Sequence, residues 1–234
     1  MFDQQRGMLS LLVTRDPALA HPLKYLFLVI LKHRFETISS FQKISELEID
    51  LSTKSVVLVH VPRECDGEIQ AVDRLKSLDK KPVIIVLRER ENNCGIDAFL
   101  AGADDVVQWP CPLEELAARV GVRLGHVLDR EHFRNGKVQW ETEAYISERA
   151  QLTTVEAEIL RVLYSRQGEI VSRDEMSHAI DGRPWQYGDR KFDVHVGRIR
   201  KKFSREFGPE ISVATVRSSG YRLLTVNQDG GDGS

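Results

Sequence analysis

Three short, nearly continuous apolar runs punctuate the first half of the chain: Met8–Val13 (MLSLLV), Ser55–Val61 (SVVLVHV) and Pro82–Leu87 (PVIIVL). Strands buried on both faces of a parallel sheet have this pattern, whereas half-exposed strands alternate. Phe35–Ser39 and Asp104–Gln108 add two shorter strand candidates, and 20–33, 41–47, 67–78, 93–101 and 113–128 carry helical periodicity between them. Asp16-Pro17 has the form of a helix start, but Pro22 would cost about 3 kcal/mol in a helix interior. The expected start is therefore near His21, with Pro22 in the first turn. Five β-α units in alternation predict a doubly wound α/β domain over 1–128.

The pattern changes after a polar stretch, 129–137 (DREHFRNGK), which reads as a linker. The second domain is expected over 138–226: short strands at Val138–Trp140 and Ala144–Ile146, three helices and a terminal hairpin. The Gly- and Asp-rich tail, 227–234, is expected to be disordered. Thr153 with Glu156 three residues on, and Ser172 with Glu175, are capping-box signatures for the first two helices. Gly168 is placed to end the first, and the second runs to about Ile180. A polar loop with Gly182, Pro184 and Gly188 leads to a third helix, Asp189–Arg205. On it Phe192, Val196, Ile199 and Phe203 form one core stripe. Lys191, His195, Arg198, Lys202 and Arg205 form a flanking stripe, and Arg190, Val194, Gly197 and Lys201 lie opposite the core. Strands Ile211–Val216 and Tyr221–Thr225 enclose Arg217-Ser218-Ser219-Gly220, a hairpin tip carrying an arginine.

Composition narrows the function classes. The content, 41% hydrophobic and 29% charged, is that of a globular protein. No run reaches the roughly 18 apolar residues of a membrane helix, and Asp3, Arg15 and Asp16 do not suit a signal peptide. Cys65, Cys94 and Cys111 have neither C-x-x-C spacing nor a nearby His pair, so free thiols in a reducing cytosol are expected, without metal or cofactor. The net charge of −2 conceals an asymmetry: 189–206 holds 7 basic and 3 acidic residues. A basic stripe on an anchored helix, with an arginine-tipped hairpin beside it, suits a major groove and an adjacent minor groove of double-stranded DNA.

LTTVEAEIL, GEIVSRDEM, DRKFDVHVGRIRKKF and TVRSSGYRLL follow one another in the order and spacing of the OmpR/PhoB-type winged helix-turn-helix, and the resemblance covers about 152–225. It implies a bacterial, cytoplasmic transcription regulator that binds repeated half-sites as a homodimer and can contact RNA polymerase. It further implies that Val194 and Arg198 face base edges, that Arg190, His195, Arg200 and Thr215 approach phosphates, and that Arg217 enters the minor groove. Lys191, Lys201 and Lys202 complete the expected DNA-binding set, Lys202 on a phosphate. The sequence departs from the family pattern at Gly197, at Ser218 in place of a wing glycine, and at Asp181 in place of a common tryptophan.

The first domain, with Gly102-Ala103-Asp104-Asp105 and Trp109-Pro110, resembles that family's flavodoxin-like receiver domain. A working receiver needs a carboxylate nucleophile, an acidic pair for Mg²⁺, a Thr/Ser and a Lys. Here the acidic pair aligns with Thr14 and Arg15, the phosphoacceptor with Val59 or His60, the Thr/Ser with Leu87 and the Lys with Trp109. An arginine at the ion's position repels Mg²⁺, which requires carboxylate oxygens. The expectation is a pseudo-receiver that regulates without phosphorylation. The resemblance also implies pairing through the helices at 93–101 and 113–128 and the strand between them. Asp104, Asp105, Glu115 and Arg119 match charged positions there, while Gly95 and Leu100 replace two others and favour a more apolar interface. The alternative function is a DNA-binding regulator whose first domain senses a small molecule or regulatory protein. An enzyme is not expected, since G-x-G-x-x-G, P-loop and G-x-S-x-G motifs are missing.

Overall fold

The computed structural model describes residues 8–40, 51, 55–62, 66–79, 81–126 and 139–226. The linker at 129–137, the tail at 227–234, the helix expected at 41–47 and Cys65 lie outside the described residues. The chain divides into two compact units, Met1–Glu141 and Thr142–Ser234.

The first unit is built on β1 (Leu9–Val13), β2 (Arg34–Ile38), β3 (Val56–Val61), β4 (Val83–Glu89) and β5 (Asp105–Trp109), all parallel in the order β2-β1-β3-β4-β5. The helices are α1 (Ala20–Tyr25), extended by a π-helical turn over Leu26–Ile30, α2 (Asp66–Lys76), α3 (Gly95–Leu100) and α4 (Leu113–Arg123). Every residue of β3 is buried, as its unbroken apolar run required. Leu11, Val13, Val57, Val59, Val61, Ile84 and Val86 share a core with Val72 and Leu75 of α2 and Ala98 of α3. The helical segment starts earlier than expected: Asp16 caps a 3₁₀ turn, Pro17–Leu19, by accepting from Ala18 N. Pro22 is accommodated as the third residue of α1, where its missing N–H has no helical partner to lose.

The second unit contains α6 (Thr154–Ser165), α7 (Arg173–Asp181), α8 (Lys191–Glu206) and an antiparallel hairpin of β6 (Ile211–Val216) and β7 (Gly220–Thr225). A helix, α5 (Trp140–Arg149), precedes them and overturns the strand expected at 144–146; of the one expected at 138–140, Val138 lies outside the described residues and Trp140 starts the helix. Trp140, Glu143, Ala144 and Ala150 are all buried, a helical spacing that fragments three residues long did not reveal. Both capping boxes form: Thr153 N donates to Glu156 Oε2 (2.9 Å) and Ser172 N to Glu175 Oε2 (2.8 Å). The core gathers Ile159, Leu160, Leu163, Met176, Phe192, Val196, Ile199, Phe203, Tyr221 and Leu223. Val171 and Tyr221 exchange backbone bonds of 2.8 and 2.9 Å, which docks β7 against the start of α7. Gly220 makes that approach possible, because a Cβ there would stand 2.0 Å from Val171 O.

Candidate functional site

The third helix of the winged unit, α8, presents one side to the core and leaves the other to solvent. Phe192, Val196, Ile199 and Phe203 are buried to within 1%. On the outer side Arg190, Val194, Arg198 and Lys201 are exposed, with Gly197 half-buried between them. Val194 is 51% exposed, unusual for an apolar residue in mid-helix, and it presents a methyl-bearing surface beside the guanidinium of Arg198. Arg217 is exposed at the hairpin tip, where Ser218 takes the left-handed conformation (φ +61°) and Ser219 N closes the turn on Val216 O at 3.0 Å.

Lys191, Arg200 and Lys202 of the expected DNA-binding set have intramolecular partners. Lys202 turns inward: its Nζ donates to Gln151 O and to Glu156 Oε2, each at 2.7 Å, and Glu156 is 1% exposed. Where a phosphate contact was expected, Lys202 makes a structural tie in this structure, satisfying a carboxylate that removal of one partner would leave buried and unpaired. Burial alone would push the Glu156 carboxyl up, but the bonds from Lys202 and Thr153 hold it below the usual carboxylate range. Lys191 Nζ pairs with Asp181 Oδ1 at 2.6 Å, so the aspartate in the place of the family's tryptophan anchors the start of α8. Arg200 donates from Nε to Val213 O and from Nη2 to Thr215 Oγ1, both at 2.5 Å. The two side chains expected on phosphates are thus bonded to each other and fasten the hairpin to α8. His195 is half-buried, with its Nδ1 shielded and unbonded.

A second fastening escaped the sequence reading. Asp193, in the first turn of α8, accepts from Arg173 Nη2 (2.6 Å) and from Tyr221 OH (2.5 Å). Arg173 also lies 4.9 Å above the Tyr221 ring. Burial and the bond to Asp193 drive the Tyr221 hydroxyl far above its ordinary value, so it stays a donor. The three residues sit on three different elements, and no local spacing announces them. In the loop before α8, Trp185 is held by Asp174 and Asp189, while Tyr187 is 98% exposed.

In the first unit, a cavity of about 450 Å³ opens where β1 and β3 end. Thr14, Arg15 and His60 line it together with Glu68, Arg74 and Glu89. The phosphoacceptor alternatives separate here: Val59 is in the core, whereas His60 Nδ1 lies 3.0 Å from Thr14 Oγ1 and Nε2 lies 3.8 Å from Glu89. Burial lowers the His60 pKa against the pull of Glu89, Asp16 and Glu68. Leu87 is wholly buried and Trp109 half-buried, and neither lines the cavity. Among the described residues no group of three His, Cys, Asp or Glu side chains is arranged to hold a metal.

The four charges matched to a pairing face are joined within one chain. Arg119 bonds Asp105 (3.2 Å) and Glu115 (2.8 Å), and Arg123 adds a contact to Asp105 at 3.5 Å. Asp104 accepts from Lys76 Nζ and Ile84 N, both at 2.7 Å. Beside them α3 exposes Ile96 (74%), Phe99 (52%) and Leu100 (81%).

A parallel α/β unit with strand order β2-β1-β3-β4-β5 is thus followed by a winged-helix unit. Residues 147–223 match the family described as "Transcriptional regulatory protein, C terminal". The sensory transduction protein RegX3 of Mycobacterium tuberculosis is 26% identical over 228 residues, covering 92% of this chain and 99% of that protein. The phosphate regulon transcriptional regulatory protein PhoB of Rhizobium meliloti is 29% identical over 152 residues, covering 62% and 66%. The crystal structure of DrrB, an OmpR/PhoB homologue of Thermotoga maritima, aligns with a TM-score of 0.40 at 20% identity over 93% of this chain and 99% of that one. Over most of its length the chain is similar to response regulators of the OmpR/PhoB type, and residues 147–223 carry the matching C-terminal domain.

Proposed function

We propose that this regulator binds double-stranded DNA by inserting α8 into a major groove and the β6–β7 tip into the adjacent minor groove. The observation that carries the reading is the division of basic side chains on α8. Arg190, Arg198 and Lys201 are exposed beside Val194, while Lys191, Arg200 and Lys202 brace the domain. Arg198 and Val194 read base edges, Arg190 and Lys201 meet phosphates, and Arg217 enters the minor groove. The first unit acts without phosphotransfer. Its cavity offers Thr14, Arg15 and His60 where a receiver needs carboxylates, and Arg15 disfavours Mg²⁺. Two copies pair through α3, β5 and α4, with Ile96, Phe99 and Leu100 as the apolar centre and Glu115–Arg119 at the rim, and so address repeated half-sites. The protein works in the bacterial cytoplasm, on the nucleoid when bound, and contacts RNA polymerase. It is a regulator and not an enzyme.

Titration of duplexes at several salt concentrations tests the reading. Lys201→Ala should weaken cognate and scrambled duplexes alike and reduce the log–log salt slope by about one, whereas Arg198→Ala should cost about 1–3 kcal/mol on the cognate site alone. Loss of neither quantity in either variant refutes the proposed orientation of α8.

A further inference from the structure

The cavity of the first unit lies at the switch point of the sheet, where β1 and β3 are neighbours and their connections leave on opposite sides. Open α/β sheets bind ligands in that crevice, and a volume of about 450 Å³ falls within the usual range for small-molecule sites. Its lining carries charge of both signs. Arg15 and Arg74 stand on it with Asp16, Glu68 and Glu89; Glu89 faces His60 at 3.8 Å, and among the described residues neither arginine joins a carboxylate in an ion pair. Guanidinium and carboxylate groups that face one cavity without neutralising each other are complementary to a ligand that carries both charges itself. An inorganic anion would meet the carboxylates, a simple cation would meet the guanidinium groups, and an apolar molecule would strip water from both. The floor is the buried Thr14–His60 pair, with 6% and 7% exposure, in which the Thr14 hydroxyl also accepts from Asp16 N and His60 Nε2 faces Glu89.

We propose that this cavity binds a small zwitterion of the free amino-acid class, its carboxylate held by Arg15 and Arg74 and its ammonium by Glu68 and Glu89, above Thr14 and His60. The site replaces phosphoryl transfer as the input to the regulator, so the inference rests on the reading that the pocket is not phosphorylated. A ligand bound only by the folded chain stabilises it by mass action, by about 2.7 kcal/mol at a hundred times its Kd.

Thermal unfolding of the full chain, with each of the twenty common amino acids at about 10 mM, is the direct test. The comparison probes are the matching amines and carboxylic acids, which lack one charge, and inorganic phosphate. At least one amino acid should raise the Tm by several degrees, while its single-charge relatives and phosphate should not. Glu68→Gln, at a half-buried position, and Arg74→Gln, at an exposed one, should each weaken that ligand at least tenfold in calorimetric titration. No shift with any amino acid overturns the proposal. So does an equal shift from phosphate or a single-charge relative, or binding unchanged in both variants. Intact mass after acetyl phosphate separates the two layers. A phosphoryl adduct overturns the underlying reading, whereas an unmodified chain that no amino acid stabilises refutes the ligand alone.

Discussion

Replacing Lys202 by alanine separates a structural lysine from a DNA-contacting one. Its ammonium holds two acceptors at 2.7 Å, Gln151 O before α6 and the carboxylate of Glu156 in the capping box of α6. Glu156 is 1% exposed, so removing Lys202 leaves a buried charge without its counter-ion. Stripping one partner from a buried pair costs roughly 3–5 kcal/mol. Two features reduce that figure: Thr153 N still donates to Glu156, and the Lys202 side chain is 25% exposed, so water screens the pair. We expect a loss of about 2 kcal/mol, or about 10 °C in the Tm of the winged unit. The depressed folded-state pKa of Glu156 fixes the sign with pH. Its contribution is full above the ordinary carboxylate value of 4.5 and is lost as pH falls through the folded value, and Lys202→Ala should flatten that dependence. Urea unfolding measures the stability, and duplex titration at several salt concentrations measures the DNA contact. The log–log salt slope should stay at the parent's value. A slope reduced by one with stability unchanged would show that Lys202 meets phosphate and that the inward geometry is wrong.

The first unit should lose stability as pH falls from 6.5 towards 4. Burial, and secondarily His126, lower the His33 pKa from 6.5 to about 4, so the unfolded chain takes up a proton that the folded one refuses. The full effect is about 3 kcal/mol, and His33→Gln should abolish that segment of the pH profile in calorimetry; an unchanged profile would contradict it. Arg119→Glu should weaken self-association, by breaking the ties to Asp105 and Glu115 and placing like charges on the pairing face. Sedimentation at micromolar concentration reads it, and a monomeric parent refutes the premise. Acetyl phosphate or beryllofluoride with Mg²⁺ should change neither mass nor DNA affinity, and a phosphoryl adduct on His60 would overturn that. Arg217→Ala should lose affinity mainly on sites whose flanking minor groove is A·T-rich and narrow; an equal loss on G·C-rich flanks would remove Arg217 from the groove.

The parallel sheet was legible because runs such as VVLVHV admit few alternatives, and the capping boxes and the core stripe of α8 follow from fixed local spacings. Helix α5 was not, because Val138–Trp140 and Ala144–Ile146 are too short to distinguish a period of two from one of 3.6. Charge on the flank of α8 was visible, but its use was not. Whether a lysine faces phosphate or protein depends on acceptors that the fold brings from elsewhere, Glu156 at 46 residues' distance for Lys202 and Asp181 at ten for Lys191. The fastening of Asp193 by Arg173 and Tyr221 was hidden for the same reason. In the first unit the positions of Thr14, Arg15 and His60 at the end of the sheet could be read from the sequence, whereas Leu87 and Trp109, aligned with the same pocket, do not line the cavity. The cavity's mixed lining could not be read, since Glu68, Arg74 and Glu89 come from α2 and the end of β4.

Selection of duplexes from a random pool by the untreated, unphosphorylated chain, repeated with Arg198→Ala, tests the central claim most directly. The account predicts enrichment of a repeated half-site by the parent. Binding should fall steeply with salt, and the variant should lose preference at one base position in each half-site while retaining the rest. A pool left unenriched by the parent, together with binding indifferent to salt, would contradict the account.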